Sequence, residues 1–288
     1  MDFEIKKKIL AFQKNEITEH FIYLKLALIE KNAGNKEVLG KIAADELRHY
    51  NLWKKYTQEG VAPSNFQIWK YFLIARFLGI TFGLKLMEAG EGKAQEAYKA
   101  MTSGIAEAVE ILRDEEAHEH ELLGLIDEER LKYVGSVVLG LNDALVELTG
   151  ALAGFTFALG SSRLVVIAGA ITGIAASLSM AASEFLSTKA EAGGKSPIKA
   201  SVYTGIAYIL TVTILILPYL LFSNLLISLG LMLMNAVLII FSFTFYISVA
   251  KDLNFRKRFL EMVGISLGVA GLSFLIGLGV RALLHIEV

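Results

Sequence analysis

The sequence predicts an all-α protein in two parts, a four-helix bundle over residues 1–130 and a polytopic membrane domain of about five spans over residues 131–288. The first ground is segregation. The apolar fraction is 54% and the mean hydropathy +0.52, yet 20% of the residues are charged, so the two kinds must lie apart along the chain. Charges crowd the first part, and beyond Lys132 the acidic residues are only Asp143, Glu147, Glu184, Glu191, Asp252, Glu261 and Glu287. The second ground is periodicity: apolar residues recur at helical spacing in the first part and fill runs near the ~20 residues of a hydrocarbon core in the second.

The first helix runs from Phe3 to about Lys31, on Ile5, Ile9, Phe12, Ile17, Ile22, Leu24, Leu26 and Leu28, with Gly34 and Asn35 breaking the run. A second fits Lys36 to Gln58 and is stopped by Gly60 and Pro63. The third, Phe66 to Met101, is unusually apolar through Trp69, Phe72, Phe77 and Phe82. Its interior Arg76 and Lys85 argue against a span, since a mid-bilayer Arg costs about 2.5 kcal/mol or more. Its apolar excess is expected to touch a partner subunit or the membrane surface. The fourth runs from about Ile105 to Arg130, and four long helices with short connections make a bundle.

Five spans follow, approximately Val134–Leu159, Leu164–Leu186, Ile198–Leu217, Leu225–Val249 and Phe259–Leu283. Lys189, Lys195 and Lys199 follow the second span, and Lys251, Arg256, Lys257 and Arg258 the fourth, whereas the other side holds little beyond Arg163 and Arg281. By the positive-inside rule the bundle is cytoplasmic and the C-terminus outside. The N-terminus lacks the apolar core and cleavage site of a signal peptide, and a prokaryotic plasma membrane is the simplest location.

A net charge of −1, with Lys and Arg interleaved with Glu, provides no basic field for nucleic acid. The absence of cysteine removes disulfides, thiolate nucleophiles and Cys-ligated metal. Metal chemistry must therefore use Glu, Asp, His and Met.

The bundle offers such a set. Glu46-Leu-Arg-His49 and Glu115-Glu-Ala-His118 are both Glu-x-x-His on helices two and four, and the i, i+3 spacing points carboxylate and imidazole to one side. Either motif alone reads as an ordinary charged helix face. Two copies on alternate helices fit a carboxylate-bridged two-metal site, which also needs a Glu from each remaining helix; Glu16 and Glu19 are available on the first, Glu88 and Glu91 on the third. On these motifs, residues 1–126 resemble the ferritin-like, rubrerythrin-type di-iron proteins. That resemblance implies a di-iron cofactor, with Glu46 and Glu115 bridging, His49 and His118 as imidazole ligands, and Glu16, Glu88 and Glu91 terminal. It favours Glu16 over Glu19 because Glu16 and Tyr23 keep the family's Glu-to-Tyr spacing. The Cys-rich electron-transfer domain of rubrerythrins is missing, and no catalytic residue is assigned beyond the metal site. His20, Glu119 and His120 are weaker candidates, readable as exposed helix residues or as an entry site for cations. With Glu116, Asp127, Glu128 and Glu129 they make an acidic collar that would concentrate divalent cations.

The first span carries Asn142, Asp143 and Glu147, and the second Met180 and Glu184. A carboxylate at membrane depth costs several kcal/mol unless paired, protonated or wet, so the default reading is an ion or proton pathway. A neutral Glu147 hydrogen-bonded between helices is the structural alternative. Met180 beside carboxylates adds a thioether that suits a transition metal and offers little to Mg or Ca. The small residues Gly169, Gly173, Gly264 and Gly268 permit close helix approach, within a chain or across a dimer seam. Gly-Leu-Asn-Asp-Ala-Leu-Val (140–146) and Ser-Met-Ala-Ala-Ser-Glu-Phe-Leu-Ser (179–187) resemble the vacuolar iron transporter family, over about residues 132–288. The resemblance implies a five-span homodimer in the lipid bilayer that moves Fe(II), and often Mn(II), out of the cytoplasm against protons, with Asp143, Met180 and Glu184 in the pathway. Eukaryotic members carry a helical metal-binding insertion between spans two and three. Here only residues 187–199 lie there, which implies that metal capture belongs to the bundle, as in membrane-bound ferritin-like transporters of prokaryotes.

A proton-coupled exporter of Fe(II) or Mn(II), its bundle capturing, oxidising or sensing iron, accounts for both halves. The alternative is a membrane-anchored ferroxidase or peroxide-scavenging di-iron enzyme, which has no need of intramembrane carboxylates.

Overall fold

The computed structural model describes residues 3–87, 106–124, 132–191, 194–251 and 253–284, all helical or connecting, with no strand among them. The chain divides into two compact units, Met1–Glu128 and Glu129–Val288.

In the first unit α1 (Phe3–Ile29) packs on α2 (Ala33–Thr57) and α3 (Asn65–Leu78), and α4 (Ala106–Gly124) packs on α2. The break after α1 falls before Gly34, earlier than expected, because the Asn32 side chain accepts the Gly34 and Asn35 N–H groups and caps α2 from Ala33 onward. At the other end of α2, Gln58 takes a left-handed conformation, φ 57°, and its N–H donates to the Lys54 carbonyl. Buried Gln13 of α1 ties down this end, accepting from Thr57 Oγ1 and donating to the Glu59 carbonyl, both at 2.8 Å. Ser64 caps α3, and its own N–H donates to Thr18 Oγ1 of α1.

The continuous third helix expected over Phe66–Met101 is broken. Gly79 ends α3 at φ 107°, ψ 148°, a region that strongly favours glycine. Helix resumes over residues 80–87 and folds back so closely that a Cβ on Gly83 would lie 2.7 Å from that of Ala75. Residues 88–101, with Glu88 and Glu91, lie outside the described residues. The apolar excess of α3 is exposed at Phe66, Trp69, Leu73 and Phe77, with Lys25 Nζ of α1 4.4 Å from the Trp69 ring centroid.

Among the described residues the second unit holds five helices long and apolar enough to span a membrane: α5 (Val134–Leu159), α6 (Ser162–Ala190), α7 (Pro197–Leu221), α8 (Leu225–Ala250) and α9 (Phe255–Leu284). Pro197 at the first position and the caps Ser196 and Asn224 start α7 and α8. The core is built on α5, whose Ala144, Leu145, Leu148 and Leu152 are fully buried against Tyr208, Leu215, Met232 and Ala236. Residues Ala144–Leu148 wind as a π-helix inside α5, and Ser266 of α9 donates to the Leu145 carbonyl at 2.6 Å.

Glycines set the crossings. Gly140 lies against the Thr204 backbone of α7, and a Cβ on Gly277 of α9 would lie 2.5 Å from the Gly154 carbonyl of α5. Gly169 and Gly173 of α6 face Leu152 and Val212, so this small-residue face packs within the chain, while Gly264 and Gly268 face open space.

Candidate metal centre

Four carboxylates and imidazoles from three helices of the first unit converge: ligand atoms of Glu16 (α1), Glu46 and His49 (α2) and Glu115 (α4) all lie within 4.8 Å of one another. His118 completes the group, its ring centroid 6.0 Å from that of His49. Glu46 and Glu115 each turn one oxygen to each imidazole. His49 Nδ1 lies 3.6 Å from Glu46 and 3.5 Å from Glu115; His118 Nδ1 lies 3.3 Å from Glu46 and 3.9 Å from Glu115. Glu16 stands 3.6 Å from His49 Nδ1 and accepts from the indole N–H of fully buried Trp53 at 3.2 Å. Glu19 lies outside this group.

A second ring of charge holds the imidazoles, and the motif reading did not anticipate it. His49 Nε2–H donates to Asp114 of α4, and His118 Nε2–H to Asp45 of α2, both at 3.2 Å. Each helix therefore positions the other's histidine, and the bond at Nε2 fixes the tautomer that turns Nδ1 toward the cluster. Arg48 donates to both aspartates, at 3.2 Å to Asp45 and 2.6 Å to Asp114, and also to Glu110 at 2.8 Å. The signal for these residues was present: both motifs read Asp-Glu-x-x-His, Asp45 to His49 and Asp114 to His118.

The electrostatics are those of a site built around positive charge. Burial, then the neighbouring Glu115, pushes Glu46 up to about 8, against the pull of both imidazoles. Burial draws His49 and His118 down, but the facing carboxylates outweigh it and hold both rings above the ordinary histidine value. Asp114 is held below the carboxylate range: burial raises it, and Arg48 and His49 more than compensate. Glu46 Oε2, His49 Nδ1 and His118 Nδ1 are buried and find no hydrogen bond among the described residues. Buried polar atoms are seldom left so, and those of Glu46 and His49 belong to the convergent group, which fits a cation. Hard carboxylates with imidazoles and no thiolate suit iron or manganese, so the residues present fit a transition-metal ion.

The remaining candidates fall elsewhere. His20 Nδ1 lies 2.6 Å from the Ala43 carbonyl, a contact that ties α1 to α2. The side chains of Glu119 and His120, and of Glu116, Asp127, Glu128 and Glu129, lie outside the described residues.

In the second unit the three candidate carboxylates occupy two levels. Asp143 and Glu147 flank the start of the π-helical turn, with the Tyr208 hydroxyl beside both and donating to Glu147 at 3.4 Å. Glu184 lies nearer the start of α5, accepting from Ser136 Oγ at 2.5 Å and Thr188 Oγ1 at 3.5 Å. Ser136 precedes Asp143 by seven residues, about 10 Å along a helix. Met180 is half-buried against the apolar core of the unit. Ser136, Thr188 and Tyr208, ordinary span residues by sequence, are the carboxylates' partners.

No curated protein and no solved structure matches the chain. Residues 134–194, which include Asp143, Glu147, Met180 and Glu184, match the model of the VIT family.

Proposed function

We propose that the protein exports Fe(II) from the cytoplasm, with Mn(II) as a second cargo, in exchange for protons, and that its bundle holds a resident di-iron site that captures or senses the same metal. The observation that carries the reading is the convergence of Glu16, Glu46, His49, Glu115 and His118, with buried atoms that want a cation, in a chain whose spans carry their own carboxylates. When bound, a di-iron centre supplies one-electron redox chemistry.

The chain's own residues supply the rest. Glu46 and Glu115, which face both imidazoles, would hold the metal together with His49, His118 and Glu16. Asp45, Asp114 and Arg48 hold the imidazoles in register. The cluster gives up protons as the cation enters, because Glu46 and both histidines hold them above their ordinary values. In the membrane unit, Glu184 with Ser136 and Thr188 forms one station and Asp143 with Glu147 and Tyr208 the next. Glu147 is exposed on its span, and a second copy covering it would spare a carboxylate from lipid, which favours a homodimer. The Lys and Arg that gather at one end of the spans favour a cytoplasmic bundle and an outside C-terminus.

The test is Fe(II) flux into proteoliposomes with an internal pH dye, comparing the intact protein, Asp143→Asn, and Glu46→Ala/Glu115→Ala. Flux with opposite proton movement that Asp143→Asn abolishes supports the exporter, and the double variant shows whether the bundle sets its rate. No flux from protein that still binds two irons per bundle would replace this reading with an anchored di-iron enzyme.

A further inference from the structure

The first, fourth and fifth spans part at one end. The first half of α5 packs on α7, where Gly140 meets Thr204, while its second half packs on α9 through Gly150, Gly154 and Gly277. The divergence leaves a cavity of about 190 Å³ between the first half of α5, the end of α8 and the start of α9. Its polar lining is Asn142, Thr244, Lys251 and Arg258; Phe243, Ile247 and Met262 make apolar walls. Neither Lys251 nor Arg258 forms an ion pair among the described residues.

This lining is wrong for the cargo. Lys and Arg have donors and no acceptor, so two of them repel a divalent cation and attract an oxyanion, with the Asn142 amide and Thr244 hydroxyl as further donors. A free anion would use the cationic end and leave the apolar walls wet. Lys251 ends α8 and Arg258 lies in the first turn of α9, so the cations sit at the boundary where a span meets water. We infer that this cavity binds the phosphate headgroup of an anionic phospholipid, the phosphate on Lys251 and Arg258 and an acyl chain along Phe243, Ile247 and Met262. An occupant would touch Asn142, next to Asp143, and so bear on the segment of α5 that carries the pathway. The binding stands on the cavity alone; its effect on flux rests on the transport reading.

The experiment uses the full chain in nanodiscs of phosphatidylcholine with and without phosphatidylglycerol, reading retained phosphatidylglycerol per protomer by native mass spectrometry. Lys251→Gln/Arg258→Gln is compared with Arg256→Gln/Lys257→Gln, which removes the same charge from exposed positions outside the cavity. The cavity pair should cost about tenfold or more in retention beyond the control pair, since each basic contact to an anionic lipid is worth roughly a factor of five. Lys251→Arg/Arg258→Lys, which keeps both charges, should retain the lipid. Equal loss from both neutral pairs would overturn the site in favour of general attraction at the rim. Displacement by inorganic phosphate would overturn the lipid in favour of a soluble anion. Flux is read in matching vesicles: a protein that retains the lipid yet moves no metal keeps the site and loses the transport reading.

Discussion

The two acidic clusters use the same residue types in opposite ways. In the bundle, Glu46 and Glu115 face two imidazoles, each imidazole is held from behind by an aspartate, and one arginine grips both aspartates. In the spans, the side-chain hydrogen bonds of Glu184 and Glu147 among the described residues come from hydroxyls, those of Ser136, Thr188 and Tyr208, and Glu147 is exposed. A site whose ligands are fixed through outer partners keeps its ion. A site with few and adjustable partners lets one go, and conduction needs binding weak enough to leave. Under the function proposed above, the bundle is built to hold metal and the spans to pass it.

The largest effect should come from the residue that serves both imidazoles. Glu46→Gln removes a carboxylate that lies 3.6 Å from His49 and 3.3 Å from His118. We expect bundle affinity for Mn(II) to fall by more than about 100-fold in anaerobic titration calorimetry, beyond the ordinary range for loss of an outer partner. Glu184→Gln should leave that titration unchanged. Near-normal binding by Glu46→Gln would break the contrast at its firmest point.

Next come the outer partners. Asp45→Asn and Asp114→Asn keep the shape and remove the charge behind each histidine, and each should weaken binding about 10- to 100-fold. Arg48→Gln loosens both aspartates together. Its effect should therefore exceed that of either single asparagine variant, and histidine nitrogen shifts by NMR should show both rings losing a fixed tautomer. Loss confined to one ring would mean that Arg48 serves only one side.

These outer residues also mark where sequence reasoning stopped. The spans were legible to within a few residues because a run of about twenty apolar residues has few other uses. The clustering of Glu46, His49, Glu115 and His118 was legible because Glu-x-x-His recurs on two helices. Asp45 and Asp114 were written in the same motifs, but a residue adjacent to a ligand points about 100° away on its own helix, and its role appears only when the facing helix is in place. Gly79 was hidden by continuing apolar periodicity through Phe77, Leu78 and Ile80, which gave no hint that the chain turns there. The π-helical turn after Asp143 has no sequence signal of this kind. Likewise, nothing in the spacing told that Ser136 would meet Glu184, since that contact depends on how α5 and α6 cross.

A smaller effect separates the clusters by pH. Glu46, raised to about 8, keeps its proton in the folded state through a range where the unfolded chain has lost it, from about pH 5 upward. The raised histidines do the same above about pH 6.5. The folded apo bundle thus binds more protons than the unfolded chain, and its stability must fall as pH rises from about 5 to 8, by up to ~1.4 kcal/mol per unit for each group in its window. Asp114 acts in the opposite sense only below the ordinary carboxylate range, where its contribution is lost as pH falls. Thermal unfolding of chelator-treated protein, followed by the fluorescence of buried Trp53, should show the decline, and added Mn(II) should reverse it, more strongly at higher pH. Apo stability that rises over this range would mean that the cluster does not hold the protons the geometry assigns.

The smallest effect is expected where the structure is loosest. Tyr208→Phe removes a single hydroxyl whose bond to Glu147 is 3.4 Å long, at the weak end of the range. If the membrane station works by having few partners, losing one changes flux by about two- to tenfold, the worth of one ordinary hydrogen bond. Bundle affinity should not change at all. A loss of more than about 100-fold would mean that the hydroxyl takes part in passing the ion rather than steadying the carboxylate, and the membrane station would then be as tightly specified as the bundle site. The same substitution therefore sharpens the contrast from its weak side, as Glu46→Gln does from its strong one. Only if the first is mild and the second severe do holding and passing belong to different halves of the chain.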